Sequence, residues 1–119
     1  VTKRFLNYIL VKDASENYEM NKRTENGIWK NLYEFPCIES ENEIEENEVL
    51  NQLNEKYSIK NFHYFDGFDV LHKLSHQHLS IKFYTIEIKD IINNRYTFAE
   101  VKQLPVPIVL HNFIEKIVI

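Results

Sequence analysis

The run from Leu79 to Ile88, LSIKFYTIEI, constrains the fold more than any other stretch of the chain. Leu79, Ile81, Phe83 and Thr85 fall on one face of an extended segment; Ser80, Lys82, Tyr84 and Ile86, with His78 before them, fall on the other. β-Branched and aromatic residues on both faces predict a central strand covered from both sides. The approach to this strand differs from its body. Lys73-Leu74-Ser75-His76-Gln77-His78 brings an ammonium, a hydroxyl, an amide and two imidazoles into six residues. So polar a stretch, leading into a buried strand, reads either as a rim presented to a ligand or as an ordinary solvated strand end. Spacing alone favours the solvated end.

A chain of 119 residues reads as one domain, able to bury roughly two-thirds of its unfolded surface. Its 44% apolar and 13% aromatic content fits a packed core. Two glycines leave no room for a phosphate-cradling P-loop or a dinucleotide fingerprint. Cys37 stands alone, which excludes an internal disulfide, a Cys-rich zinc site and a self-contained iron–sulfur cluster, and suits a reducing cytoplasm. No apolar run approaches membrane-spanning length, and the N-terminus lacks the apolar core of a signal peptide, so no membrane partner is expected. The net charge of −4 conceals an uneven distribution: positions 39–55 hold seven glutamates and no lysine or arginine. The remainder carries 14 positive against 11 negative charges, a balance that permits nucleic-acid binding without demanding it.

In chain order, Phe5 to Lys12 is the first strand, Asp13 to Asn17 a turn, and Tyr18 to Lys22 a returning strand. Loop chemistry through Asn26-Gly27 leads to Ile28–Pro36, an irregular apolar segment with a short strand near Leu32 to Phe35. Trp29, Tyr33 and Phe35 invite a base-stacking role, but their interleaving with Ile28 and Leu32 assigns them to the core, as it does Tyr64, Phe65 and Phe68. Glu39 to Asn47 reads as an acidic connection. Val49, Leu50, Leu53 and Tyr57 predict a helix from about Glu46 to Tyr57. Phe62 to His72 is extended and broken at Asp66-Gly67. Beyond the central strand and an Asp90–Tyr96 loop, Thr97 with Glu100 forms a capping box for a short helix to Gln103. After Leu104-Pro105-Val106-Pro107, the segment from Ile108 to Ile119 predicts a terminal helix burying Leu110, Phe113, Ile114, Ile117 and Val118. Mixed strands with these helices predict an α+β (mixed α/β) sandwich.

Three segments together resemble one family. Lys22-Arg23 followed by Gly27-Ile28-Trp29-Lys30-Asn31-Leu32-Tyr33-Glu34-Phe35-Pro36 resembles the KR…GIWxGLYEFP segment of the C-terminal domain of MutY-type A/G-specific adenine glycosylases. Leu74-Ser75-His76 with His78-Leu79 resembles that domain's FSHxxL lesion-reading loop, with leucine in place of the family's usual phenylalanine; Leu104-Pro105-Val106-Pro107 resembles its ALPxP turn. The resemblance implies a Nudix/MutT-like fold, a mixed β-sheet flanked by helices, spanning residues 1–119. It implies a DNA-repair function: recognition of 8-oxoguanine paired with adenine in double-stranded DNA, in support of adenine excision by an upstream catalytic domain. The iron–sulfur cluster would belong to that upstream domain, and this fragment is expected to need no cofactor and to be cytoplasmic, nucleoid-associated in a bacterium. A first residue of valine points the same way, to a piece of a longer protein.

The resemblance assigns lesion recognition to Leu74, Ser75 and His76 and gives this fragment no catalytic residue. Oxidation at C8 turns guanine N7 from acceptor to donor and adds a carbonyl oxygen, inverting the edge that a reader of normal guanine would meet. A serine hydroxyl can accept or donate, so Ser75 suits either group; its commoner role is to stabilise a turn. His76 suits positioning against a phosphate or the base, and Leu74 a wedge beside a base step. Lys22, Arg23, Lys30 and Lys73 are phosphate-contact candidates, and the fragment is expected to bind DNA weakly and in a salt-dependent way.

Two enzyme-like readings compete. A Nudix hydrolase needs several helical carboxylates to hold Mg²⁺ on a nucleoside diphosphate. With Leu53 and Ile59 in the apolar slots of the Nudix pattern, its charged slots hold Asn51, Gln52, Glu55 and Lys56; Ser58 takes the closing glycine slot and Cys37 the opening one. One carboxylate of three survives, beside a lysine that would repel the metal. A zinc site of His72, His76 and His78 is the other reading, since the three share strand parity if the strand is unbroken. The expectation is no metal site.

Overall fold

The computed structural model describes residues 1–117. In chain order the elements are β1 (Thr2–Lys12), β2 (Tyr18–Glu19), β3 (Asn21–Lys22), β4 (Tyr33–Glu34), β5 (Cys37–Ser40), α1 (Glu46–Lys56), β6 (Ile59–Tyr64), β7 (Val70–Lys73), β8 (Gln77–Ile88), β9 (Arg95–Tyr96), α2 (Phe98–Val101) and α3 (Ile108–Lys116). β8 is central, as its sequence predicts. Along one edge β1 runs parallel to it over its whole length, from Thr2 opposite Gln77 to Lys12 opposite Glu87. Along the other edge β7 and β6 pair with it antiparallel in succession. The far edge of β1 is completed by β5, which sets Tyr8 opposite Cys37 and Leu6 opposite Glu39, and then by β2, which leads to β9. One parallel pairing among antiparallel ones makes the sheet mixed.

Both faces of the sheet are covered because both parities of β1 and β8 are apolar. Leu6, Tyr8, Leu10, Leu79, Ile81 and Phe83 pack against Val101 of α2 and Val109, Leu110, Phe113 and Ile114 of α3. Ile9, Val11, Tyr84, Ile86 and Ile88 pack against Val49 and Leu53 of α1 on the opposite face. At the centre of the larger cluster the Phe83 and Phe113 rings lie parallel with centroids 4.0 Å apart. Phe35, Phe65 and Phe68 meet Phe113 edge-on. Phe35 is fully buried, Trp29, Tyr33, Phe65 and Phe68 pack on this cluster, and Tyr64 packs on the other, so the aromatic residues assigned to the core belong there.

Several boundaries differ from the sequence reading. The acidic connection begins later than expected, because Cys37–Ser40 forms β5. That segment has no alternating apolar pattern; what makes it a strand is main-chain pairing to the open edge of β1. β6 begins at Ile59 and not at Phe62, and the break before β7 falls at Asp66-Gly67, where Gly67 takes φ +85°. α2 is shorter than expected, but its capping box is present: the Glu100 amide donates to the Thr97 hydroxyl while the Thr97 amide donates to the Glu100 carboxylate. α3 ends at Lys116 with Ile117 extended; Val118 and Ile119, the end of the expected helix, lie outside the described residues.

Candidate functional site

The polar stretch before the central strand is the tip of the β7–β8 hairpin. His72 pairs with Leu79 and Lys73 with His78, after which the Leu74 amide donates to the Gln77 carbonyl at 2.8 Å and closes the turn. Leu74 is half-buried and packs onto the larger core cluster, which anchors the tip; Ser75 and His76 are exposed. The turn also reverses the strand parity on which the trio of histidines depended. His72 shares a face with Leu79, whereas His78 shares the opposite face with Lys73, so the three imidazoles do not share one face. Among the described residues no three His, Cys, Asp or Glu side chains come together as metal ligands.

The tip is tied to the start of β1 and, through it, to β5. The Thr2 amide donates to the His76 carbonyl at 3.0 Å. Arg4 reaches in two directions: Nη1 donates to Gln77 Oε1 at 2.7 Å, while Nε and Nη2 donate to the two carboxylate oxygens of Glu39 at 2.8 and 2.7 Å. The Glu39 hydrogen bonds raise the Arg4 pKa further above its already high ordinary value. No local pattern announces this group, because its members come from three strands.

The loop between β3 and β4 reaches β7, next to the tip. Its neck is closed by the Arg23 amide donating to the Leu32 carbonyl and the Asn31 amide to the Arg23 carbonyl, at 2.8 and 2.7 Å. Trp29 and Asn31 adopt left-handed backbone, φ +59° and +72°, costly for a tryptophan. The Trp29 ring comes to rest 6.2 Å from that of His72. Of the expected phosphate contacts, Arg23 is committed internally: it donates twice to Glu34, which also accepts from the Tyr8 hydroxyl at 2.8 Å. Burial and then nearby negative charge push the Tyr8 phenol well above its ordinary range, so it donates to Glu34 as a neutral group. Burial likewise pushes up the Cys37 thiol. Lys30 donates to Asn26, whereas Lys22 and Lys73 are exposed without an ion-pair partner among the described residues.

Helix α1 turns Val49 and Leu53 inward. Gln52 and Lys56 line a cleft of about 390 Å³ together with Asn21, Glu34, Cys37 and Tyr57, whose hydroxyl donates to the buried Glu19 carboxylate at 2.8 Å. Asn51, Glu55 and Ser58 are exposed. The helix turns an amide and an ammonium to this cleft, and the carboxylate that lines it, Glu34, is already engaged by Arg23 and Tyr8.

The same architecture occurs in known structures. A chain from the complex between the C-terminal domain of mouse MUTYH and human PCNA superposes with a TM-score of 0.64 at 13% identity, over 95% of this chain and 87% of that one. MutT protein from Methanosarcina mazei Go1 gives 0.63 at 10% identity, covering 96% and 91%. A structure from a study of MutT from Aliivibrio salmonicida and Vibrio cholerae gives 0.61 at 10% identity, covering 96% and 95%. At these identities the likeness is one of fold. No curated protein sequence matches the chain. The family model described as NUDIX domain matches residues 7–116, and the chain therefore belongs to the NUDIX domain family.

Proposed function

We propose that this NUDIX domain is the lesion-reading module of an A/G-specific adenine DNA glycosylase. In this reading it recognises 8-oxoguanine opposite adenine in duplex DNA while an upstream catalytic domain extrudes and removes the adenine. The observation that carries the reading is the placement of Leu74-Ser75-His76 at an exposed hairpin tip that is nonetheless held to β1. Ser75 presents its hydroxyl to the inverted N7–C8 edge, His76 positions the strand, and Leu74 roots the tip in the core. The segment from Lys22 to Pro36, similar to the glycosylase family, forms the loop beside the tip, and the MUTYH domain is among the structures that share the fold.

The test is binding of the chain to matched duplexes containing 8-oxoguanine:adenine or guanine:adenine. The wild type prefers the oxidised duplex, and Ser75→Ala loses about 1–3 kcal/mol of that preference, the value of a good base contact. Equal weakening on both duplexes would refute the assignment of Ser75. MutT proteins share the fold equally well, so the competing reading is Mg²⁺-dependent hydrolysis of a nucleoside di- or triphosphate. Turnover of such a nucleotide with added magnesium would replace the lesion-reading proposal with that one; the amide and ammonium that Gln52 and Lys56 present to the cleft predict none.

A further inference from the structure

The tip has to be placed to within a fraction of an ångström to distinguish an N7–H from an N7 lone pair, yet Ser75 and His76 are exposed. Leu74 packs on the core at one end of this three-residue turn, but nothing packs on the two solvated side chains that would do the reading. Its rigidity has to come from its two ends, and there the hydrogen bonds converge. The carbonyls of His76 and Gln77 are both engaged, one by Thr2 and one by Leu74. The Gln77 side chain is engaged by Arg4, whose planar fork is fixed in turn by both oxygens of Glu39. Arginine only donates, so it also dictates which end of the Gln77 amide faces it.

The Arg4–Glu39 pair is a poor stability device. Its side chains retain 23% and 40% of their exposure, a setting in which ion pairs contribute about 0–1 kcal/mol to folding. What the bidentate pair and its third bond supply is geometry. We propose that Arg4 is a positioning residue for lesion reading: clamped by Glu39, it holds Gln77, and with it the Leu74–His76 tip, in the reading geometry before DNA arrives. This inference rests on the reading of the tip as the lesion reader. It joins three strands into one device: β5 carries the clamp, β1 the arm, and β8 the tip's root.

The Glu39→Ala variant separates positioning from plain electrostatics, because electrostatics moves the two duplexes together and leaves their ratio unchanged, whereas positioning changes the ratio. Removing a carboxylate near DNA raises affinity for any duplex. Loss of the clamp lowers the ratio of affinities for 8-oxoguanine:adenine over guanine:adenine by about three- to tenfold, the equivalent of having to order a side chain during binding. Gln77→Leu lowers the ratio similarly and speeds hydrogen exchange at the Leu74 amide, whereas Gln77→Glu, which keeps an acceptor for Arg4, preserves both the ratio and the protection. Unfolding midpoints in urea confirm that each variant is folded, and the Gln77 pair decides the matter if Glu39→Ala is not. If the wild type shows no preference for the oxidised duplex, the lesion-reading proposal falls and the positioning role with it. If the wild type does prefer it and folded Glu39→Ala and Gln77→Leu keep the full ratio, lesion reading stands and the positioning role is overturned.

Discussion

Asp13 shows how much one side chain holds in this fold. One carboxylate oxygen accepts from the Ser15 amide and hydroxyl and from the Asn17 amide, at 2.9, 2.7 and 3.0 Å; the other accepts from the Ile92 amide at 3.2 Å. The residue therefore shapes the turn between β1 and β2 and pins it to a loop 79 residues away. Burial pushes its pKa up, but these hydrogen bonds outweigh burial and hold it below the ordinary aspartate value. Since the folded form binds its proton less readily than the unfolded form, the stabilisation is present above the ordinary pKa and is lost as pH falls through the depressed one. Asp13→Ala should cost about 2–3 kcal/mol at pH 7 in urea unfolding, and the gap from wild type should narrow below about pH 4. A gap that stays constant to pH 2 would show that the charged carboxylate contributes nothing. That Asp13 opens a turn was legible from its neighbours Ser15 and Asn17; that it reaches Ile92 was not.

At the scale of elements, legibility followed the origin of each element's stability. β1, β8, α1 and α3 declare themselves because their burial is written as an apolar period. α2 declares itself by chemistry, since a threonine followed three residues later by glutamate satisfies two orphan amides at once. Thr97→Ala should cost about 1 kcal/mol in urea unfolding, and Thr97→Ser should recover most of it. If the serine variant is no better than alanine, the cap is not what supports this turn. β5 is the opposite case. Cys37-Ile38-Glu39-Ser40 carries no period, and only the unpaired edge of β1 makes it extended. The hairpin tip was legible as a polar interruption, but the register that puts His72 and His78 on opposite faces was not. The register of His72 with Leu79 appears only once β7 and β8 pair.

For the whole molecule, the charge that matters is what remains after internal pairing. Arg4 and Arg23 neutralise Glu39 and Glu34, leaving Lys3, Lys22, Lys30 and Lys73 as exposed cations on the tip and on the neighbouring strands and loop, with no ion-pair partner among the described residues. If the chain binds duplex DNA as proposed, titrating salt against its affinity should therefore give a slope of about −4 in log–log form, since each neutralised phosphate contributes about −0.9. A slope near −5 would mean that both arginines abandon their carboxylates for phosphate. Replacing Lys73 with alanine should reduce the slope by about one and weaken oxidised and normal duplexes alike.

The sequence by itself determined that the strand through Leu79–Ile88 is sandwiched between helical layers, because burial on both faces demands apolar residues at both parities and these are local. It also determined the residue chemistry of the tip, which needs no neighbours to be read. The tertiary structure alone decided that Arg4 meets Glu39 and Gln77, 35 and 73 residues away. Parallel pairing of β1 with β8 and the docking of β5 onto β1 bring them together, and strand pairing is made by main-chain groups that every residue carries.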